Sequence, residues 1–390
     1  MNEFDAVIIG AGLAGLHSAR LLARNGISVL LVDRKHDLSK GVHTTGIFVR
    51  KTFEDFHFPA GTLGASIRDV TLYSPRLKSL ELKSDKDEFR VGKMGELYRS
   101  VLDECLDAGV EFANKTRYIS AEPMGERSVV KLEKGGQVFT VLAKVLVGAD
   151  GAVSRVARDL GLDENAEWIV GYEEVFRSVP NGAPRLHCFL DAELAPGYIA
   201  WIADDGSELH VGVGGYTADF EPRSALSELK KKASFVCDLK GKTASETRGG
   251  RIPVSGILRR ISNERGLLIG DAAGAVSPLT AGGLDPCLRL TTFAAEVIAE
   301  RVRSDDPNSL RQYSGDLFRT RFVSRLWMRR ALAGFKSQSL IELGFRFLNT
   351  KIGARFASHV FFGRGSFPDV SDLVSEGGKL RPSERLQVRG

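Results

Sequence analysis

Two carboxylates stand out by the company they keep. Asp33 ends the second of two strand-like runs, Val7 to Ile9 and Ile27 to Val32. Between the runs lie Gly10-x-Gly12-x-x-Gly15 and an Ala/Leu-rich stretch of helical period that ends near Asn25-Gly26. Strand, glycines, helix, strand and terminal acid, in that order, make a dinucleotide fingerprint where the glycines alone would not. Gly10 permits the tight turn, Gly12 lets the backbone approach a pyrophosphate, and Gly15 lets helix and strand pack closely. The helix N-terminus offers its N–H groups and positive dipole end to the phosphates. Asp33 can accept hydrogen bonds from both ribose hydroxyls and disfavours a 2′-phosphate, so FAD or NAD is expected rather than NADP. The second carboxylate, Asp271, stands alone in "LLIGDAAGAVSPLTAGGLDPCLRL", an apolar run that stops at Gly270-Asp271 and passes through small residues, Pro278 and Gly282-Gly283.

The elements that must position these groups follow from hydrophobic period. "DVTLYSPRLKSLEL" is extended, and "GELYRSVLDECLDAGV" reads as a helix from about Gly95. "SVVKLEK" and "QVFTVLAKVLVGADG" form a hairpin turned at Gly135-Gly136, and "VLVGADGAVSRVAR" carries a strand into a short helix. From about Trp168 to Tyr216 the alternation predicts an antiparallel sheet with turns at Asn181-Gly182 and Asp205-Gly206. "GLLIGDAAG" returns to α/β character, and a long helix runs from about Leu284 to Val302. The expected organisation is a discontinuous α/β nucleotide-binding domain (1–70, 91–165, 250–305), a substrate domain of antiparallel sheet (71–90, 166–249) and a basic helical segment (306–390). An active site is expected at the domain seam.

Composition narrows the class. A chain of 390 residues can bury a large core. Cys105, Cys188, Cys237 and Cys287 are far apart and form no CxxC pair, which argues against a disulfide-stapled fold or a structural metal site. "MNEFDAVIIG" lacks the basic region of a signal peptide, so a cytoplasmic location is expected. The net charge is +5, yet Arg311 to Arg364 holds eleven Lys/Arg against Asp316 and Glu342. There Phe, Trp and Leu interleave with the bases at near-helical spacing. This pattern suits peripheral contact with an anionic membrane, a helical cap or a solvated basic face. Nucleic-acid binding is not expected, because no recognition module accompanies the charge.

The order of the Gly10 fingerprint, "GADGAVSRVAR" and "GDAAGAVSPLTAGG" resembles the FAD-dependent oxidoreductases of the para-hydroxybenzoate hydroxylase fold. The resemblance implies a Rossmann-like FAD-binding domain of the glutathione reductase type with an inserted antiparallel-sheet substrate domain and C-terminal helices. It places the ADP half of FAD on Gly10, Gly12, Leu13, Ala14, Gly15, Asp33 and Arg34. Thr45, Tyr118 and Asp150 follow as further cofactor positions, with Asp150 joining strand to helix. Gly270 and Asp271 would meet the ribityl-phosphate half. Pro278, Gly282, Gly283 and Leu284 would lie against the flavin ring, with the Leu284 helix dipole on its pyrimidine side. "APGYIAWIADDGSELHVGVGGY" looks like the geranylgeranyl reductase branch, with Tyr198 and Trp201 as the matches, and "FFGRGSFP" looks like that group's tail. The chain departs from the branch in Ala203-Asp204 where Pro usually follows, in "GVHTTGIF" where a Cys-Gly is frequent, and in Met94 where an Arg is common, with Lys93 and Arg90 nearby.

Flavin carries the redox chemistry, so no obligatory acid–base dyad is expected. His43 could donate a proton or merely bond backbone. Cys287, on the first turn of a helix, could have a lowered thiol pKa or simply pack that helix. Tyr198 and Trp201 could wall a long apolar pocket or be plain core. The resemblance implies a reductase of double bonds in a prenylated or apolar substrate, re-reduced by NAD(P)H or an electron carrier. The alternatives are a flavin monooxygenase using NAD(P)H and O2, and a non-catalytic flavoprotein.

Overall fold

The computed structural model describes residues 1–177, 182–216, 220–319, 326–330 and 337–363. Its central sheet has eight strands. The parallel core comprises Asn2–Ile9 flanked by Val29–Val32 and Gln137–Gly148, with Glu111–Ala113 and Gly266–Leu268 outside them. Val29–Val32 is buried throughout, and Asn2–Ile9 and Gln137–Gly148 are buried toward their C-terminal ends, as a parallel sheet covered on both faces requires. Val7, Ile8, Val145, Leu146 and Val147 are fully buried. The expected turn at Gly135-Gly136 joins Arg127–Lys134 to Gln137–Gly148.

The Leu13–Arg24 helix packs on the Leu284–Ser304 helix, which ties the first nucleotide motif to the last. Its approach to the sheet depends on Gly15: a Cβ there would lie 1.9 Å from the Gly10 carbonyl oxygen. Gly10 has φ +104°, a conformation that side chains disfavour.

The second sheet has seven strands, ordered Glu246–Pro253, Trp168–Arg177, Glu208–Gly215, Ala200–Asp204, Arg185–Phe189, Asp69–Tyr73 and Ser79–Leu82. The Asp205-Gly206 turn is present; Asn181 lies outside the described residues. The sheet is mixed rather than purely antiparallel, since Arg185–Phe189 runs parallel to Asp69–Tyr73. These two strands are distant in sequence, and a long crossover, unlike a hairpin, can return the chain in the same direction. A third sheet of Ile47–Val49, Phe89–Gly92 and Leu63–Ile67 bridges the larger two. Glu246–Pro253 and Phe89–Gly92 run through the boundaries expected at 249/250 and 90/91.

Candidate active site

A cavity of about 590 Å³ runs between the two large sheets. One end is the fingerprint loop, where Ala11, Gly12, Leu13, Ala14 and Asp33 face it. The Asp33 carboxylate accepts from the Ala11 N–H at 2.8 Å and the Lys35 N–H at 2.7 Å, which fixes the loop to the end of the second strand. A Cβ on Gly12 would meet no atom within 4 Å, whereas those on Gly10 and Gly15 would strike backbone. The first and third glycines therefore serve packing, and the second opens to the cavity.

The middle of the cavity is formed by Gly270-Asp271 and by Leu279 to Leu284. Asp271 is half-buried, and its carboxylate has no hydrogen-bond partner among the described residues. Removal from water pushes it up to about 6. Ala281 sits in the left-handed region at φ +50°, and Gly282 and Gly283 follow without side chains. The fingerprint loop, the open face at Gly12 and an unpartnered carboxylate on one continuous wall fit the extended shape and polar linker of FAD.

The inner face of the second sheet makes the opposite wall. The Trp201 indole lies across Gly212, where a Cβ would stand 2.2 Å from the ring, and Tyr198 crosses Gly214, where it would stand 2.6 Å away. Tyr198 donates its hydroxyl to the Thr280 carbonyl at 2.6 Å and so ties the sheet to the Asp271 loop. Trp201 donates its N–H to Glu173 Oε2 at 3.0 Å.

Glu173 is 3 % exposed and lines the cavity. Thr45 also donates to Oε2, while His210 Nδ1 stands 3.4 Å and Arg248 3.7 Å from Oε1. Burial alone would raise the Glu173 carboxyl, but the His210, Thr45 and Arg248 contacts hold it below its usual range. Burial opposes protonation of His210, yet Asp205 and Glu173 on its two sides lift it to about 9. Asp205 is held near 2 against its own burial by His210 and by the Glu208 and Ser207 N–H groups.

Most of the expected positions meet on this cavity: Gly12, Leu13, Ala14, Asp33, His43, Thr45, Tyr198, Trp201, Gly270, Asp271, Gly282, Gly283, Leu284 and Cys287. Others do not line it. Tyr118 turns away and donates to Asp159 at 2.6 Å, joining its strand to the Arg155–Leu160 helix. Arg34 points to solvent, and Pro278 is buried behind the loop. Asp150 accepts from Ser154 Oγ and the Arg155 N–H, a capping role. His43 is exposed, with a ring nitrogen 3.1 Å from the Gly249 carbonyl. At Cys287, burial and the nearby Asp271 charge raise the thiol, so desolvation outweighs the lowering expected from the helix end. Glu173, His210 and Arg248 were not singled out by motif. For Glu173 and His210 the signal is positional, polar residues at buried positions of largely apolar strands; Arg248, in the polar edge strand Glu246–Pro253, carries none.

Fold and site together define a flavin-dependent oxidoreductase. The FAD binding domain family model matches residues 3–328. Digeranylgeranylglycerophospholipid reductase 2 of Methanopyrus kandleri is 31% identical over 336 residues, which cover 79% of this chain and 80% of the relative. Reductase 1 of the same organism is 32% identical over 326 residues, covering 79% and 83%. A geranylgeranyl bacteriochlorophyll reductase-like protein from Thermoplasma acidophilum superposes with TM-score 0.82 at 19% identity, over 96% of this chain and all of the other, 100%. A flavin-dependent brominase shares the fold with TM-score 0.69 at 16% identity, over 94% and 95%. The chain belongs to the FAD binding domain family and, within it, to the digeranylgeranylglycerophospholipid reductases.

Two predictions follow from the geometry of the cofactor end. Gly12→Val leaves a folded protein whose FAD affinity drops at least about tenfold, the loss of phosphate hydrogen bonding alone, while Gly15→Val prevents folding; flavin fluorescence and circular dichroism separate the two. For Asp271, a folded pKa above the unfolded value means a cost that is absent below about pH 4 and grows as pH rises toward 6. FAD-free Asp271→Asn therefore melts like the wild type at pH 4 and higher than it at pH 7.5, but holds FAD less tightly.

Proposed function

We propose that the protein reduces carbon–carbon double bonds in prenyl chains of an apolar lipid. The observation that carries this reading is the continuity of the cavity. From the Asp271 loop it passes Trp201 and Ile199 to Leu186, Cys188 and Phe89, and it reaches Phe361 and Phe362 at the end of the last described helix. An apolar channel of this kind suits a linear run of isoprene units better than a compact polar substrate. The names of the relatives support the same substrate class.

Bound and reduced FAD supplies a hydride at its ring. The chain's own residues hold the cofactor at Gly12, Asp33 and Asp271, and the two sheets exclude water. Tyr198 fixes the distance between the Thr280 loop and the substrate wall through its hydroxyl. One dinucleotide fingerprint is present in the sequence, so the electrons come from NAD(P)H bound transiently or from a small electron carrier.

The lipid reaches the cavity from an anionic bilayer. Helices Gln338–Leu348 and Lys351–Phe362 turn Leu343 and Ile352 outward at 61% and 74% exposure, with Phe347 and Phe356 beside them. Exposed Arg346, Lys351 and Arg355 border this apolar face, and the second helix ends at the cavity. Apolar residues flanked by bases are the pattern of a helix lying in the headgroup region. No helix among the described residues is long and apolar enough to cross a membrane.

The reductase reading is checked by reducing the FAD-loaded protein without oxygen and adding digeranylgeranylglycerophospholipid. The flavin should reoxidise and the lipid gain two hydrogens per double bond. A flavin that ignores the lipid but consumes O2 and hydroxylates an aromatic compound would sink it. Membrane contact is checked by flotation with phosphatidylglycerol vesicles. Leu343→Glu, Phe347→Glu and Ile352→Glu together should lower bound protein at least about tenfold, matching the burial of three large side chains; undiminished flotation would exclude this face.

A further inference from the structure

Saturating an alkene needs a proton as well as a hydride, and the cofactor's contribution leaves the source of the proton open. Across the second sheet, facing residues form a row: Arg248 opposite Glu173, Glu173 opposite Gly212, and Gly212 opposite Trp201. His210 lies two positions along the Gly212 strand, opposite Val175, and its ring reaches back to Glu173. Its other nitrogen, Nε2, stands 3.6 Å from Asp205 Oδ2. Asp205 belongs to the hairpin turn whose next two residues, Gly206 and Ser207, are exposed. Ser207 Oγ donates to Asp205 at 2.9 Å. At the opposite end, Thr45 joins Glu173 to the cavity surface.

We propose that Thr45, Glu173 and His210 form a proton-delivery line that serves the alkene carbon not receiving hydride. This rests on the reductase reading and specifies a step within it. The alkene π bond breaks, and two C–H bonds form. One takes the hydride, and with it both electrons, from the reduced cofactor. The other takes the Thr45 hydroxyl proton. Thr45 Oγ regains a proton from Glu173, which takes one from His210 Nδ1, leaving a neutral imidazole and a restored carboxylate. His210 is recharged from solvent on the side of the Asp205 turn.

The electrostatics allow a charge to be stored here. The groups facing His210 are Glu173 on the neighbouring strand, Asp205 in the turn and Arg248 on the edge strand, with Arg248 itself held by Glu246 at 2.8 Å. Two carboxylates balance one imidazolium and one guanidinium, so the buried set carries no net charge when His210 is protonated. His210 keeps its proton up to about pH 9. Trp201, bonded to Glu173, turns its ring toward the channel, so the acceptor at the centre of the line also aligns the wall against which the substrate lies.

The test uses the FAD-loaded enzyme, reduced without oxygen and mixed once with digeranylgeranylglycerophospholipid. Wild-type reoxidation should slow in D2O, place solvent deuterium at the alkene carbon not receiving hydride and fall as pH rises through about 9. Thr45→Val should slow it at least about a hundredfold per bound flavin, the usual weight of a positioned proton donor. Glu173→Gln should act likewise and abolish the break near pH 9. Independently of turnover, ¹⁵N NMR of histidine-labelled protein should show His210 doubly protonated at pH 7.5 in the wild type and neutral in Glu173→Gln. If Glu173→Gln does not fold, Thr45→Val and the wild-type NMR spectrum still decide the matter. A wild-type rate in Thr45→Val, or a neutral His210 in the wild type, overturns the proton line and leaves the reductase reading standing. A wild-type enzyme whose flavin ignores the lipid overturns both.

Discussion

A carboxylate removed from water must be surrounded by donors, and Glu173 meets that demand with groups from both halves of the molecule. Thr45 comes from the loop after the nucleotide-binding strand, Trp201 and His210 from the second sheet, and Arg248 from its edge. Arg248 also donates to the Thr44 carbonyl at 3.2 Å, and His43 lies against Gly249. The seam between nucleotide half and substrate half is thus stitched by polar contacts around a buried charge. Breaking one partner of such a set leaves an uncompensated ion, which is far more costly than the pair is stabilising. The position of the cavity depends on this constraint, because Thr45, Glu173, Trp201 and Arg248 form part of its wall.

Asp271 receives the opposite treatment on the same cavity. Among the described residues its carboxylate has no donor, and desolvation raises it, whereas Glu173 is held low by its neighbours. One carboxylate is satisfied within the chain and belongs to the scaffold. The other faces the cavity without a hydrogen-bond donor among the described residues. The two environments give a single cavity a polar end and an apolar end. Gly12, Gly212 and Gly214 serve the same division, the first by leaving backbone accessible and the other two by leaving room for Trp201 and Tyr198.

The terminal helices extend this arrangement outward. In the Gln338–Leu348 helix the buried residues are Glu342 and Phe345, and Glu342 accepts from the Arg76 N–H at 2.7 Å. The helix is therefore anchored through a polar contact while much of its apolar surface faces away from the core, a reversal of the usual soluble pattern. The next helix carries that surface to Val360, Phe361 and Phe362 at the cavity.

Local chemistry was legible from the sequence. The Gly10 fingerprint, the Gly135-Gly136 hairpin and the Leu284 helix depend on short-range period and on backbone conformations that few residues tolerate, so their positions could be read directly. The lone carboxylate of Asp271 was legible for the same reason, since small residues around it signal space for something other than side chains. Tyr118 shows the limit: its strand, Thr116–Met124, was not among the predicted elements, and which face its hydroxyl takes is decided by Asp159 in a later helix. The parallel pairing of Arg185–Phe189 with Asp69–Tyr73 was likewise unreadable, because it joins segments far apart in the chain. Glu173, His210 and Arg248 look ordinary in sequence, and only strand register sets them around one point. Sequence by itself determined the nucleotide fingerprint and, through the order of its motifs, the resemblance that implied FAD and the fold class, because such motifs are properties of neighbouring residues. Tertiary structure alone decided which polar groups share a buried wall, since burial and pairing exist only once distant strands have met.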